Sequence, residues 1–323
     1  MPFLPGTSRG LDGCANVHGT FAVLALDHRQ NLRRELHPED PSAATYAEMV
    51  EFKRAVVRAL ATAATGVLLD PEVGAAQCVV DGSLPGSVGL IVALEATGYG
   101  GPAGARESRI LAGWSVAKVR RMGASAAKLL VYYNPDAPNA GGQERLVTEV
   151  AEACQAADLA LFLEPLSFSL EPGAKLGGDE RRRVVVETAR RLTALGGDVL
   201  KAEFPYDAAV RDHARWAEAC DELTAASRVP WVLLSGGVDD ETFEAQVAAS
   251  CTAGASGVVA GRAIWAEAAT LHGEARDVFL STTARSRLDR LARLVEAHAR
   301  PWRETHSPLA SAEAPAEGWY AGY

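Results

Sequence analysis

Three charged residues lie inside apolar segments, where an unpaired charge is costly. Lys201 lies in DVLKAEFP, Lys128 in AAKLLVYY and Glu164 in LALFLEPL. A lysine attacks a carbonyl to form a Schiff base only as the neutral amine. Reaching that state at pH 7 requires a pKa about three units below the usual 10.4, roughly 4 kcal/mol supplied by burial or a nearby cation. For Lys201, burial in the apolar segment and the cation Lys128 would supply this free energy. Glu164 would then act as general acid and base. A purely structural pairing of the lysines with Glu203 or Glu164 is the alternative.

A second group of residues could bind an anion. Ser235, Gly236 and Gly237 lie in LLSGGV, and Arg262 lies in VAGRA, so each apolar segment runs into a glycine-bearing turn. Glycine permits close backbone approach, serine can donate a hydroxyl, and arginine offers two parallel N–H groups to phosphate. These features predict a phosphate site, although two tight turns of purely structural origin would look the same.

The segment ALDHRQNL adds three further candidates. Asp27 could accept hydrogen bonds from a sugar hydroxyl or assist the lysines, or it could cap the next loop. His28 and Arg29 follow it directly. A lone histidine is weak support for a ligand, and Arg29 could equally lie on the surface.

The apolar segments that carry these residues predict the fold. Eight short, nearly continuous apolar runs are typical of parallel strands covered on both faces; they span residues 21–27, 66–70, 88–95, 126–133, 159–166, 198–205, 229–237 and 256–262. Between these runs lie segments that have the features of helices, as in residues 45–64, 179–194 and 239–254. The alternation predicts a (β/α)₈ barrel, an α/β fold, with a doubly wound sheet as the rival.

The barrel interpretation requires active-site side chains at the carboxyl ends of the strands. We assign one polar residue to the carboxyl end of each predicted strand: Asp27, Asp70, Glu95, Lys128, Glu164, Lys201, Ser235 and Arg262. We expect one barrel domain over residues 1–306, beginning with an irregular lead-in of 18 residues. Residues 307–323 are expected to be a flexible tail, whose aromatic residues could alternatively fold over the barrel or a neighbouring subunit.

Composition limits the other possibilities. A formal net charge of −9 argues against a nucleic-acid or anionic-membrane partner. The five cysteines form no CxxC pair and the seven histidines no HxH or HxxxH pair, so neither a metal site nor a disulfide framework is expected. We find no signal peptide, no apolar run long enough for a membrane helix and no dinucleotide or P-loop motif, so we expect a cytoplasmic protein without a cofactor.

The ordered set ALDHR, LEATGYG, KLLVYYNPD, FLEPLSF, DVLKAEFP, LSGGV and GVVAGRAIW resembles the tagatose 1,6-bisphosphate aldolases, a family that includes the sulfofructose phosphate aldolases. The resemblance covers residues 20–266 and implies a class I, metal-independent aldolase on a (β/α)₈ barrel. It implies that Lys201 is the Schiff-base lysine, Glu164 the proton-transfer carboxylate, Lys128 the second lysine and Asp27 the carboxylate of the first strand. The implied site for the 1-phosphate is formed by Ser235, Gly236, Gly237, Gly261 and Arg262.

The chain departs from this family at one loop. Familiar members have DQRG where this sequence has DHRQ, so His28 and Gln30 replace a glutamine and a glycine. The expected reaction is reversible cleavage of a ketose 1-phosphate to dihydroxyacetone phosphate and an aldehyde such as glyceraldehyde 3-phosphate. The alternatives are a sulfofructose 1-phosphate aldolase, a phosphosugar isomerase or epimerase, and a sugar-phosphate-binding barrel without catalysis. A homo-oligomer is expected.

Overall fold

The computed structural model of the chain describes residues 4–207, 209–305 and 315–323. Its eight strands are buried along their whole length or nearly so. They are β1 (Phe21–Leu26), β2 (Gly66–Leu69), β3 (Gly89–Ala93), β4 (Ala126–Tyr132), β5 (Ala160–Leu166), β6 (Val199–Ala202), β7 (Trp231–Leu234) and β8 (Gly257–Ala260). All neighbours pair in parallel and in chain order, and β8 pairs with β1, which closes the barrel. The predicted (β/α)₈ barrel is therefore confirmed, and the doubly wound rival is wrong.

Helices surround the barrel and cover the outward-facing side chains of the strands. They are α1 (Pro5–Cys14), α2 (Gln30–Leu36), α3 (Tyr46–Leu60), α4 (Ala75–Val80), α5 (Val116–Arg121), α6 (Ala140–Ala156), α7 (Gly178–Leu192), α8 (His213–Ala226), α9 (Asp240–Thr252), α10 (Arg262–Trp265), α11 (Gly273–Phe279) and α12 (Arg285–His298). The three helices predicted from spacing correspond to α3, α7 and α9. Side-chain caps fix two of their starts: Thr45 accepts a hydrogen bond from the N–H of Glu48, and Asp239 accepts one from Thr242.

The first 18 residues contain a helix and are not the irregular lead-in that we expected. Helix α1 packs across the N-terminal end of the barrel, where Leu11 and Cys14 are fully buried beside Trp302. Gly10 makes this approach possible, because a Cβ there would lie 2.1 Å from the carbonyl oxygen of Ser125. The amino end of the barrel is thereby sealed by apolar side chains, and the opposite end stays open.

Asp158, just before β5, links both ends of the chain to this sealed side. Its carboxylate accepts hydrogen bonds from the N–H of Gly6 (2.6 Å), the N–H of Thr7 (2.7 Å) and the Thr7 hydroxyl (2.8 Å), and so caps α1 from 151 residues beyond Thr7. The hydroxyl of Tyr323 donates to the same carboxylate. Residues 306–314 lie outside the described part of the chain, so the flexibility expected of the tail stays a prediction there.

We predict that Asp158→Ala destabilises the fold by about 2–3 kcal/mol, combining a lost helix cap with the strain of alanine at the positive φ of 43°. Asp158→Gly separates the two causes, because it removes the cap without that strain and should cost about 1 kcal/mol less. Urea unfolding at pH 7 measures both. Wild-type stability in the alanine variant would show that the carboxylate does not hold α1.

No helix in the described ranges combines the length and the apolar character that crossing a bilayer requires.

Candidate active site

Strand geometry brings four of the predicted residues to the open end of the barrel. Side chains of a strand alternate between its two faces, so residues two apart share a face. Each predicted residue stands two positions after one that fills the barrel interior, namely Ala25, Ala126, Phe162 or Val199. Asp27, Lys128, Glu164 and Lys201 consequently point inward, one layer above the apolar interior.

These side chains form one connected, buried ion cluster. The Nζ atom of Lys128 lies 2.8 Å from Asp27 Oδ2 and 2.7 Å from Glu164 Oε2. The other oxygen of Glu164 lies 2.8 Å from Nζ of Lys201. Glu164 therefore bridges the two lysines. Lys201 is only 5% exposed and Lys128 only 1% exposed, so water screens these charges poorly.

The cluster keeps its carboxylates ionised. Burial alone would raise the pKa of Asp27 and of Glu164, but the positive charges of Lys128 and Lys201 outweigh burial and hold both pKa values below their usual range. Burial likewise opposes the charged form of Lys128, yet Asp27, Glu164 and Glu95 raise its pKa well above the usual value. Lys128 is thus a permanent cation at neutral pH, and Glu164 is a carboxylate able to accept a proton from a group that contacts it.

Glu95 completes the cluster, and our choice of candidate site residues missed it. It follows β3, and its Oε1 accepts a hydrogen bond of 2.7 Å from Lys128. Its Oε2 accepts one of 3.0 Å from the N–H of Leu130. The available signal was its place among the polar strand ends, in LEATGYG.

Arg29, proposed as a substrate-binding residue, is buried in a network of its own. Its guanidinium donates to Glu72 Oε2 (2.7 Å) and to the carbonyl oxygen of Glu95 (2.8 Å). It lines the cavity at the barrel mouth, but these contacts make it a support for Glu95. The surface location considered for Arg29 is wrong, since only 8% of the residue is exposed.

The two glycine-bearing turns meet at the same mouth. The N–H of Gly261 donates to the hydroxyl of Ser235 at 3.2 Å, which ties the turn after β8 to the turn after β7. Gly236 and Gly237 adopt φ values of 43° and 79°, which glycine tolerates without strain. Arg262 begins α10 beside Gly237, half-exposed, with Nη1 3.5 Å from Glu35 Oε1. The turns thus present a hydroxyl, glycine backbone and a guanidinium together.

His28 lies between the ion cluster and these turns. Its ring packs edge-on against Trp265, and its Nδ1 is buried without a hydrogen-bond partner in the described structure, 3.8 Å from Asp27 Oδ1. Burial, reinforced by nearby cations, lowers its pKa to about 4 despite the attraction of Asp27. The imidazole of His28 is therefore neutral at pH 7, and the residue lines the cavity at the barrel mouth.

One cavity of about 640 Å³ joins all of the predicted site residues. Two neighbouring carboxylates do not join the cluster. Asp70 turns outward and forms a fully buried ion pair with Lys53 of α3. Glu203 lines the cavity but accepts hydrogen bonds from Ser167 and Arg181. Of the two partners that the structural alternative named, the lysines therefore pair with Glu164 and not with Glu203.

The acidic side chains at the mouth surround an ammonium group. Across residues 4–207, 209–305 and 315–323, no group of three or more histidine, cysteine, aspartate and glutamate side chains has an arrangement that could hold a metal ion. Asp27, Glu95 and Glu164 instead converge on Nζ of Lys128.

Comparisons with known proteins show the family of the chain. The model of the DeoC/LacD family aldolases matches residues 21–267. The tagatose 1,6-diphosphate aldolase of Lactococcus lactis is 31% identical, over 91% of this chain and 96% of its own length. Tagatose 1,6-diphosphate aldolase 1 of Streptococcus pyogenes is 30% identical, over 88% of this chain and 94% of its own length.

Among solved structures, a Schiff-base-forming fructose-1,6-bisphosphate aldolase shares the fold at a TM-score of 0.59 and 22% identity, over 90% of this chain and 99% of that one. An archaeal fructose 1,6-bisphosphate aldolase shares the fold at a TM-score of 0.60 and 21% sequence identity, again over 90% of this chain and 99% of that one. The resemblance to the tagatose 1,6-bisphosphate aldolases is confirmed. The chain belongs to the DeoC/LacD family of aldolases and is therefore a lyase.

Proposed function

We propose that the protein is a class I aldolase that reversibly cleaves a ketose 1-phosphate through a Schiff base on Lys201. The observation that carries this proposal is the buried contact between Lys201 Nζ and Glu164, in a cavity that Ser235, Gly261 and Arg262 also line. An amine, a carboxylate able to exchange protons with it and an anion site are the groups that such a reaction requires.

The first half of the reaction forms the imine. Lys201 transfers a proton to Glu164, and the resulting amine attacks C2 of the ketose to form a carbinolamine. Glu164, 2.8 Å from the nitrogen, returns this proton to the C2 oxygen, then takes a second proton from the carbinolamine nitrogen and passes it to the same oxygen, which leaves as water. The product is an iminium between Nζ and C2.

The second half breaks the carbon–carbon bond. As Glu164 removes the proton of the C4 hydroxyl, the C3–C4 bonding electrons move to the iminium, forming an enamine on Lys201 and a free aldehyde. Protonation of C3 and hydrolysis then release dihydroxyacetone phosphate. Lys128 keeps Glu164 and Asp27 ionised, so Glu164 can accept protons and Asp27 can accept hydrogen bonds from substrate hydroxyls.

In our proposal, the remaining predicted residues bind the substrate or support the ion cluster. Ser235, Gly236, Gly237, Gly261 and Arg262 bind the 1-phosphate. His28, whose ring lies beside Gly261, contacts the substrate at the same end, and Arg29 supports the cluster through Glu95. The names of the relatives support tagatose 1,6-bisphosphate as substrate, with glyceraldehyde 3-phosphate as the aldehyde released. A cytoplasmic location and a homo-oligomer remain predictions.

Borohydride trapping tests the proposal. Dihydroxyacetone phosphate with sodium borohydride should inactivate the enzyme irreversibly, and peptide mass spectrometry should find the reduced adduct on Lys201 alone. Lys53 is an internal reference, because it is equally buried but lies outside the cavity. A chelator should leave the activity unchanged. Activity that is lost to the chelator and survives borohydride would rule out the Schiff base.

A further inference from the structure

One side of the cavity is lined by leucine and tyrosine side chains that the imine chemistry does not use. Leu130 and Leu166 each follow a lysine or glutamate of the ion cluster by two residues, so they share its inward face, one layer nearer the mouth. Tyr99, in the loop after β3, and Tyr132, the last residue of β4, also line the cavity. We call these four residues the apolar wall.

The two tyrosine rings are held by an arginine that does not itself line the cavity. The rings meet edge to face, with their centroids 5.1 Å apart. The Cζ atom of Arg106 lies 4.7 Å from the centroid of the Tyr99 ring and 5.7 Å from that of Tyr132. It lies 5.1 Å from the ring of the buried Phe168. Arg106 therefore fixes the rings by cation–π contacts without touching the substrate space.

The segment that carries Tyr99 is a short hairpin attached to β4. Its two arms pair through backbone hydrogen bonds between Gly100 and Glu107. The hydroxyl of Ser108, on the second arm, accepts a hydrogen bond of 2.8 Å from the N–H of Tyr132. These bonds fix Tyr99 relative to Tyr132 before a substrate binds, which lowers the entropy cost of binding against the rings.

Barrel order places the apolar wall across the mouth from the two glycine-bearing turns. In a closed barrel of eight strands in chain order, β3 lies opposite β7 and β4 lies opposite β8. A ketose with its phosphate at the turns after β7 and β8 and its C2 on Lys201 begins on one side of the mouth. Its carbons remote from the phosphate therefore run toward the side that carries Tyr99 and Tyr132.

We propose that the apolar wall binds the carbon chain of the aldehyde half of the sugar, with Tyr99 determining specificity and Arg106 positioning the rings. This inference rests on the proposed aldolase function. Ligand cavities hold carbon chains by apolar and aromatic contact, while a few polar groups fix the orientation. The ion cluster supplies those polar groups, and the wall supplies the apolar contact. The wall thus selects an aldehyde of three carbons over one of two.

Condensation of dihydroxyacetone phosphate with D-glyceraldehyde 3-phosphate, D-glyceraldehyde and glycolaldehyde tests this role. In Tyr99→Ala, kcat/KM should fall about 10- to 100-fold for both three-carbon aldehydes, the range for lost apolar contact with a substrate. For glycolaldehyde, which has two carbons, it should change less than about 3-fold. Tyr99→Phe keeps the ring and should stay within about 3-fold of the wild type with each aldehyde.

A half-reaction without aldehyde separates substrate contact from damage to the site. The enamine on Lys201 exchanges the C3 proton of dihydroxyacetone phosphate with deuterated solvent, and Tyr99→Ala should keep this exchange rate within about 2-fold. Arg106→Met should lower kcat/KM for the three-carbon aldehydes about 3- to 10-fold, the range for a lost cation–π contact, with exchange unchanged. Arg106→Lys should restore part of the loss. Arg109→Met is the control, because it removes an exposed arginine of the same hairpin that does not line the cavity.

Three outcomes would overturn the assignment. Equal losses in exchange and condensation would show that Tyr99 supports Lys201 or the phosphate end instead of the aldehyde half. Unchanged condensation with the three-carbon aldehydes would show that the wall does not contact the substrate. An equal loss with glycolaldehyde would show that the wall does not select by chain length. A wild type that forms no borohydride adduct with dihydroxyacetone phosphate refutes the aldolase function itself, which distinguishes that failure from the other three.

Discussion

Replacing Lys201 with arginine should lower kcat at least about 10⁴-fold and abolish borohydride trapping. Arginine keeps a positive charge beside Glu164, but its guanidinium stays protonated and cannot form the imine. Removing a covalent catalyst costs several powers of ten because the remaining groups act only together with it. The measurement is steady-state cleavage of tagatose 1,6-bisphosphate, with the trapped adduct followed by mass spectrometry.

The same substitution separates the aldolase from the isomerase or epimerase considered above. An enzyme that uses Glu164 as its base without an imine would tolerate arginine at position 201. Lys175→Arg is the matched control, because Lys175 is exposed and does not line the cavity. Activity of Lys201→Arg within about 10-fold of the wild type would contradict the Schiff base.

Lys128→Met should have the second large effect, on both stability and catalysis. It leaves Asp27, Glu95 and Glu164 without the ammonium on which they converge, and removing one partner of a buried ion pair typically costs about 3–5 kcal/mol. Cleavage should fall about 10²- to 10⁴-fold, the contribution of positioned proton transfer, because Glu164 loses one of the cations that keep it ionised.

The stability of Lys128→Met should change with pH in the direction opposite to that of the wild type. In the wild type the pKa values of Asp27 and Glu164 are lowered, so their contribution to stability is present above their usual values near 4 and is lost as the pH falls through the folded values. Without Lys128, burial should dominate and raise these pKa values. The variant should then become more stable as the pH falls from 8 to 5.5.

Urea unfolding at pH 8 and pH 5.5 measures this difference. Lys53→Met is the control, because it removes a buried lysine from the single carboxylate Asp70 outside the cavity. It should lose stability yet still form the borohydride adduct. Wild-type stability of Lys128→Met at pH 8 would show that the three carboxylates do not depend on this cation.

Local patterns predicted most of the fold, because buried parallel strands carry an apolar signal that needs no tertiary information. The two-residue period of β4, β5 and β6 also places Lys128, Glu164 and Lys201 on the interior face. The same period fails at Asp70. It predicts that Asp70 points inward with Leu68, but β2 ends at Leu69, and the carboxylate turns to the N–H groups of Glu72 and Val73. Where a strand ends depends on its neighbours, which one segment cannot reveal.

Helix α1 shows a second limit. Its sequence PGTSRGLDGC contains three glycines and a proline, which have low helix propensity, so an irregular segment was the reasonable expectation. The helix forms because Asp158 caps it and the bottom of the barrel covers its apolar face. Arg29 and Glu72 likewise meet through two loops, a contact without any periodic signal.

The hydrogen bonds that Asp158 accepts from Gly6 and Tyr323 have a practical consequence for attaching this enzyme to a surface. Gly6 and Tyr323 both lie at the closed side of the barrel, while Lys201 faces the opposite opening. A bead or electrode attached beside Gly6 or Tyr323 would hold every molecule with its entrance directed toward the bulk liquid. Immobilised catalyst of this kind should retain the turnover of the free protein.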